Sequence, residues 1–257
     1  ASSRRARALF GVINQVTEKL VELHPHEAAE NLMTYVVDQR LASMMAQTKL
    51  MASEMAEHEE RTRVAVALCR CLQDPAAAGA AVVAERDVAS LLKLHKLQAH
   101  VPAEDRVDML TQCMLSVVTQ VGVDVNLMNA HPWRAPPLQF VAGLGARKAK
   151  KLLDLCRAHG PLLKRMDLIV TPDNPSPLAC MGDVVFINAC SALRVDKRTV
   201  DTYSTSYDEH DPFDDSRNTH EHYDLVGKVA ADAVLLLRIQ EAGENEVTET
   251  PGAEEAL

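Results

Sequence analysis

The sequence predicts a mainly α fold, a helical bundle with little or no sheet. Its 257 residues are 47% hydrophobic but only 4% aromatic, so any core is built from Leu, Val, Ala and Met, and with ten glycines that composition favours helix. Apolar residues recur at three- and four-residue spacing in segment after segment, the period of a helix face. Pro, Gly, Asn and Asp fall between those segments, where helices stop and restart. A chain of this length can bury one or two modest cores.

Leu9 to Leu23 has helical apolar spacing, and Leu32 to Met45 reads as a short strand, Thr34 to Val37, running into a helix. Met55 to Leu72 comes next as a helix with an acidic first half and an apolar second half. Asp74 and Pro75 stop it and begin the next element. Pro75 to Gln98 has Ala-rich helix propensity, interrupted at Gly79. Asp105 to Val121 is amphipathic, with Val107, Leu110, Met114, Val117, Val118 and Val121 on one side. These helices are expected to form a bundle over 51–125 that buttresses the region C-terminal to it.

The most informative stretch runs from Pro137 to Lys151, "PLQFVAGLGARKAKK". It reads as a short helix, a Gly-Leu-Gly hairpin and a strongly basic second helix. Gly143 and Gly145 carry no Cβ and can take positive φ, so the turn can bring bare backbone N–H groups against an anion. The second helix adds its dipole and unpaired first-turn N–H groups, and Arg147, Lys148, Lys150 and Lys151 surround that end with positive charge. Such a device grips nucleic-acid backbone without reading bases. A Gly-x-Gly before a helix is also an ordinary tight connection, and spacing alone does not separate the two readings. Leu144 is expected as an apolar plug under the turn. Ala149, Leu152, Leu153 and Cys156 give the second helix a core face, and Gly160 with Pro161 behind it stops it.

Charge is uneven along the chain. The 27 basic and 36 acidic residues leave a net −9, which ordinarily argues against nucleic-acid binding. From Trp133 to Val170, however, eight basic residues (134, 147, 148, 150, 151, 157, 164, 165) face two acids (154, 167). From Glu241 onward there are six glutamates and no base, an acidic disordered tail over 241–257. One basic island in an acidic chain fits a scaffold that touches nucleic acid at one face and basic partners elsewhere.

Nothing in the sequence has the pattern of a catalytic or metal site. His24, His26, His95, His100 and His131 are scattered, and no Ser or Cys sits in a nucleophile elbow. Residues 208–224 are dense in Asp, Glu and His but match no metal spacing; Asp215 and Ser216 read instead as the start of a helix over Glu221 to Leu237. The six cysteines show no Cys-x-x-Cys pairing and read as small core hydrophobes. No run of about 18 apolar residues and no signal peptide are present, so neither a membrane nor a secretory route is expected. The expectation is no enzyme, no cofactor and no metal.

Four ordered blocks resemble the suppressor-of-Ty-six family, eukaryotic transcription elongation factors and histone chaperones related to bacterial Tex proteins. "TQVGVDVN" at 119–126 with "PLQFVAGLGARKA" at 137–149 resembles its helix-hairpin-helix core. "VALCRCLQDP" at 66–75 and "LLKLHKLQ" at 91–98 resemble the landmarks that precede that core. "DPFDDSRNTHEHY" at 211–223 resembles the opening of its death-like domain.

The resemblance implies a tandem helix-hairpin-helix module over 126–200. Its second hairpin is expected to be degenerate: Val185, Phe186, Asn188 and Ala189 match, but the glycine turn is reduced to Gly182 beside Asp183, an acid that repels phosphate. Residues 1–50 are expected to be the end of a RuvC-like (YqgF) domain whose body lies upstream, with Ala1 in place of an initiating Met, and 201–240 the start of the death-like domain. The implied function is a nuclear, non-enzymatic elongation factor and histone-chaperone core in chromatin and nucleosome organization. Its implied partners are nucleic acid, histones and the RNA polymerase II elongation machinery. Two alternatives stand beside it. One is a Tex-like RNA-associated factor; the other is a DNA-holding module of a repair nuclease, which would need carboxylates such as Asp214 and Asp215.

Overall fold

The computed structural model describes residues 2–23, 37–196, 198 and 211–242. Thr34 to Val36, His24, His26 and residues 243–257 of the acidic tail lie outside the described residues, so the expected strand and tail are not part of this description; Val37 lies in irregular backbone.

Helices dominate. The elements in order are α1 (Ser2–Leu23), α2 (Arg40–Met45), α3 (Lys49–Glu54), α4 (Glu60–Gln73), α5 (Pro75–Ala84), α6 (Arg86–Ser90) and α7 (Ala103–Val121), then β1 (Val123–Asp124), α8 (Val125–Ala130), α9 (Gly145–His159), α10 (Asp183–Ala189), β2 (Leu193–Arg194) and α11 (Tyr223–Ala242). Short 3-10 turns link several of them, including Pro132–Arg134 and Pro136–Phe140. Among the described residues the sheet is one two-residue parallel pair, Val123 opposite Leu193 and Asp124 opposite Arg194.

Several helix starts carry side-chain caps. Asp74 accepts a hydrogen bond from Ala77 N–H at 2.9 Å, and Pro75 occupies the first helical position, so α4 stops and α5 begins as expected. Thr48 accepts from Met51 N–H to open α3. The helix expected over Met55 to Leu72 begins later than expected: α3 ends at Glu54, a turn intervenes over its first residues, and α4 runs from Glu60 to Gln73. Gly79 does not interrupt α5. Gly79 faces α7, where a Cβ would lie at ordinary contact distance, 3.6 Å, from Met114 Sδ, and the break falls instead at Glu85, whose backbone is extended.

α5 is apolar on every side, with Ala77, Ala78, Ala80, Ala81, Val82 and Val83 all buried, and it belongs to two cores at once. Ala78 and Val82 join Ala42, Met45, Met51 and Ala67 in a smaller core. Trp133 packs against that core, with the guanidinium groups of Arg70 and Arg134 5.1 and 5.0 Å from its ring centre. Ala80 and Val83 join a larger core that continues through Met114, Val118, Leu138, Leu152, Phe186 and Val195. The segments expected as bundle and hairpin module therefore share one buried interior.

Two buried polar devices fasten the larger core. Asn126 is 2% exposed; its Nδ2 donates to Leu162 O and its Oδ1 accepts from Leu162 N–H, both at 2.8 Å, tying α8 to the chain leaving α9. Arg165, 1% exposed, forms an ion pair with Asp214 at 3.0 Å and donates to the Cys190, Phe213 and Ser216 carbonyls. Asp214 also accepts from Arg165 N–H at 2.8 Å and from the Tyr223 hydroxyl at 2.5 Å. This network pins residues 211–223 to the hairpin region. It removes Arg165 from the basic island, since a guanidinium buried among acceptors presents no charge to a ligand.

Three smaller expectations differ. α11 begins at Tyr223 and reaches Ala242, after a 3-10 turn at His220–His222, rather than spanning Glu221 to Leu237. On α7 the face expected to be apolar is buried at Val107, Met114 and Val118, while Val121 near the helix end is 55% exposed. Cys156 and Cys190 are buried as expected, with burial pushing the Cys156 thiol up to about 12, whereas Cys69 and Cys113 are exposed.

Candidate nucleic-acid interface

Pro136 and Pro137 open a 3-10 turn that carries Leu138 and Phe140 into the core, and the chain then reverses over Val141 to Leu144 into α9. Gly143 has φ 84° and Gly145 φ 66°, values that cost other L-residues about 1–2 kcal/mol each. Leu144 between them is 4% exposed and packs under the turn. The expected short helix, Gly-Leu-Gly hairpin and second helix are all in place, the first helix being a 3-10 turn.

The two glycines differ in surroundings. A Cβ on Gly143 would sit 3.4 Å from Val185 O and 3.5 Å from Val185 Cα, so the turn rests on the backbone of α10. A Cβ on Gly145 would meet nothing within 4 Å, which leaves its backbone open to an incoming group. No side chain caps the start of α9 and its first turn holds no acid, so the first-turn N–H groups are available to an external anion.

The cations take distinct positions. Arg147, Lys150 and Lys151 are exposed, and Lys148 is half-buried, its ammonium donating to Gly143 O at 2.9 Å. Lys148 thus holds its charge at the mouth of the turn while bracing it. At 100° per residue Arg147 and Lys151 fall on one side of α9, while Lys150 falls toward Ala146, Leu153 and Arg157 and lines a separate groove. The four cations are close in sequence but serve two faces. Elsewhere in the basic island Arg134 pairs with Asp74 at 3.6 Å and Arg157 with Asp154 at 3.3 Å.

The second hairpin is built differently. Gly182 starts α10 with φ −76°, an ordinary extended value, and Asp183 sits exposed in the first turn. Its main visible part in the site is Val185 beneath Gly143, a support that sequence spacing did not mark.

A family model described as a helix-hairpin-helix motif matches residues 86–196. The transcription elongation factor SPT6 homolog of Arabidopsis thaliana is 31% identical over 224 residues, 86% of this chain and 13% of that protein. The transcription elongation factor SPT6 of Drosophila melanogaster is 29% identical over 234 residues, 91% of this chain and 12% of that protein. The transcription elongation factor spt-6 of Neurospora crassa is 31% identical over 205 residues, 80% of this chain and 14% of that protein.

The chain belongs to the suppressor-of-Ty-six family. It spans 12% to 14% of the length of those three relatives. The suppressor-of-Ty-six segment "DPFDDSRNTHEHY" proves to be occupied with its own fold. Asp214 is bound by Arg165 and Tyr223, and Asp215 pairs with Arg194 at 2.7 Å. Among the described residues no group of three or more His, Cys, Asp and Glu could hold a metal ion, and no helix is long and apolar enough to cross a membrane.

Proposed function

We propose that this chain is the helix-hairpin-helix core of a nuclear transcription elongation factor and histone chaperone, acting as a non-enzymatic scaffold. It grips the nucleic-acid backbone through Gly143, Leu144, Gly145, Arg147, Lys148 and Lys151, with Lys150 adding long-range charge. Partner proteins, among them histones and the RNA polymerase II elongation machinery, meet its helical surfaces. The observation that carries this reading is the positive-φ glycine pair at an uncapped helix start, open at Gly145 and flanked by exposed cations. Attachment of this kind is independent of base sequence and weakens steeply with salt.

The test is a fluorescence titration of labelled duplex over a range of salt concentrations. Lys148→Glu combined with Lys151→Glu is expected to weaken binding strongly and to flatten the log–log salt slope by about 0.9 for each phosphate no longer neutralised. Unchanged affinity and slope would show that α9 is only a solvated face.

A further inference from the structure

A groove of about 370 Å³ runs along the side of α9 away from Arg147 and Lys151. Its apolar lining includes Ala84 of α5, Pro132 and Ala135 of the linking turns, and Ala146 and Leu153 of α9. Lys150 and Arg157 stand over it from α9, facing one carboxylate, Glu85. Glu85 accepts a hydrogen bond from Lys49 N–H at 2.6 Å, so its charge is engaged at the start of α3. The Arg157 to Asp154 pair is half-exposed on both sides and yields readily to a competing carboxylate.

We propose that this groove binds an acidic peptide segment of a partner protein, with an aliphatic or aromatic anchor flanked by carboxylates. The apolar floor takes the anchor. Lys150 and Arg157 lie seven residues apart on α9, about 10 Å by helical rise, and three residues of extended chain cover about the same distance. Carboxylates on either side of the anchor therefore reach both cations. A nucleic-acid strand fits the groove poorly, because the lining has no aromatic ring to stack a base, and Gln139 is the single uncharged polar side chain in it. α9 then serves two ligands at once, phosphate at its turn and peptide along its flank.

The experiment measures fluorescence anisotropy of the full chain with labelled Glu-Glu-Leu-Phe-Glu-Glu, and with Glu-Glu-Ser-Gly-Glu-Glu as the probe without an anchor. The first peptide is expected to bind roughly tenfold more tightly than the second. Ala84→Trp plugs the groove without changing charge, Arg157→Glu reverses one cation, and both positions are exposed. Each is expected to weaken the first peptide roughly tenfold, and the charge-neutral Ala84→Trp is expected to bind labelled duplex as before. Equal binding of the two peptides, no binding of the first, or indifference to Ala84→Trp in a protein that melts like wild type overturns the proposal. Loss of duplex binding in the wild type would count against the phosphate cradle alone and leave the groove standing.

Discussion

Arg165 carries a charge into the interior and is held there by four side-chain hydrogen bonds and one from its backbone N–H, all to acceptors between residues 190 and 216. Removing one partner strands the other, so Asp214→Ala is expected to cost about 3–5 kcal/mol in a urea melt; a cost under about 1 kcal/mol would mean that the ion pair is replaceable. Tyr223 adds a pH signature. Burial, together with its hydrogen bond to Asp214, raises its phenol well above the usual value. The fold holds the neutral form, while the unfolded chain ionises near pH 10, so this stabilisation is complete below about pH 10 and declines as pH rises beyond it. Melts compared at about pH 8 and about pH 11 should show a smaller loss in Tyr223→Phe than in wild type; equal losses would place the alkaline sensitivity elsewhere. None of this was legible in the sequence. Arg165 sits one residue after Lys164 in a basic run, and its partner lies 49 residues away, beyond the reach of local pattern.

Among the elements, α9 was the most legible, because its core face comes from helical period alone: Ala149, Leu152, Leu153 and Cys156 are all buried. The same period separates its cations, but the groove beside Lys150 was not legible, since it depends on which neighbours pack against the helix. α5 shows the opposite limit. Gly79 looks like a helix breaker by propensity, yet its backbone is held against α7, and tertiary packing outweighs a local preference of about 1 kcal/mol. A Cβ there would sit at an ordinary van der Waals distance, 3.6 Å, from Met114 Sδ. Gly79→Ala is therefore expected to stabilise the protein by about 0.5–1 kcal/mol in a denaturant titration. Destabilisation would mean that α5 and α7 are packed too closely for even a methyl group.

At the scale of the whole molecule, one interior joins the helical bundle to the hairpin. α5 lends opposite sides to the two cores, and the β1–β2 pair ties the end of α7 to the segment after α10. The helical class was legible from composition and period, whereas a two-residue strand pair bridging residues 123 and 193 leaves no alternating pattern to read. That shared interior seats the Gly143 turn on α10, so the proposed phosphate cradle needs no folding step on binding. The most direct test is nuclear magnetic resonance of the isotope-labelled chain titrated with a short duplex at rising salt. The amides of Gly143, Gly145, Ala146 and Arg147 should shift most and return as salt increases. Shifts centred on α10 or on the flank around Ala84 and Leu153, with the Gly143 turn unmoved, would contradict it.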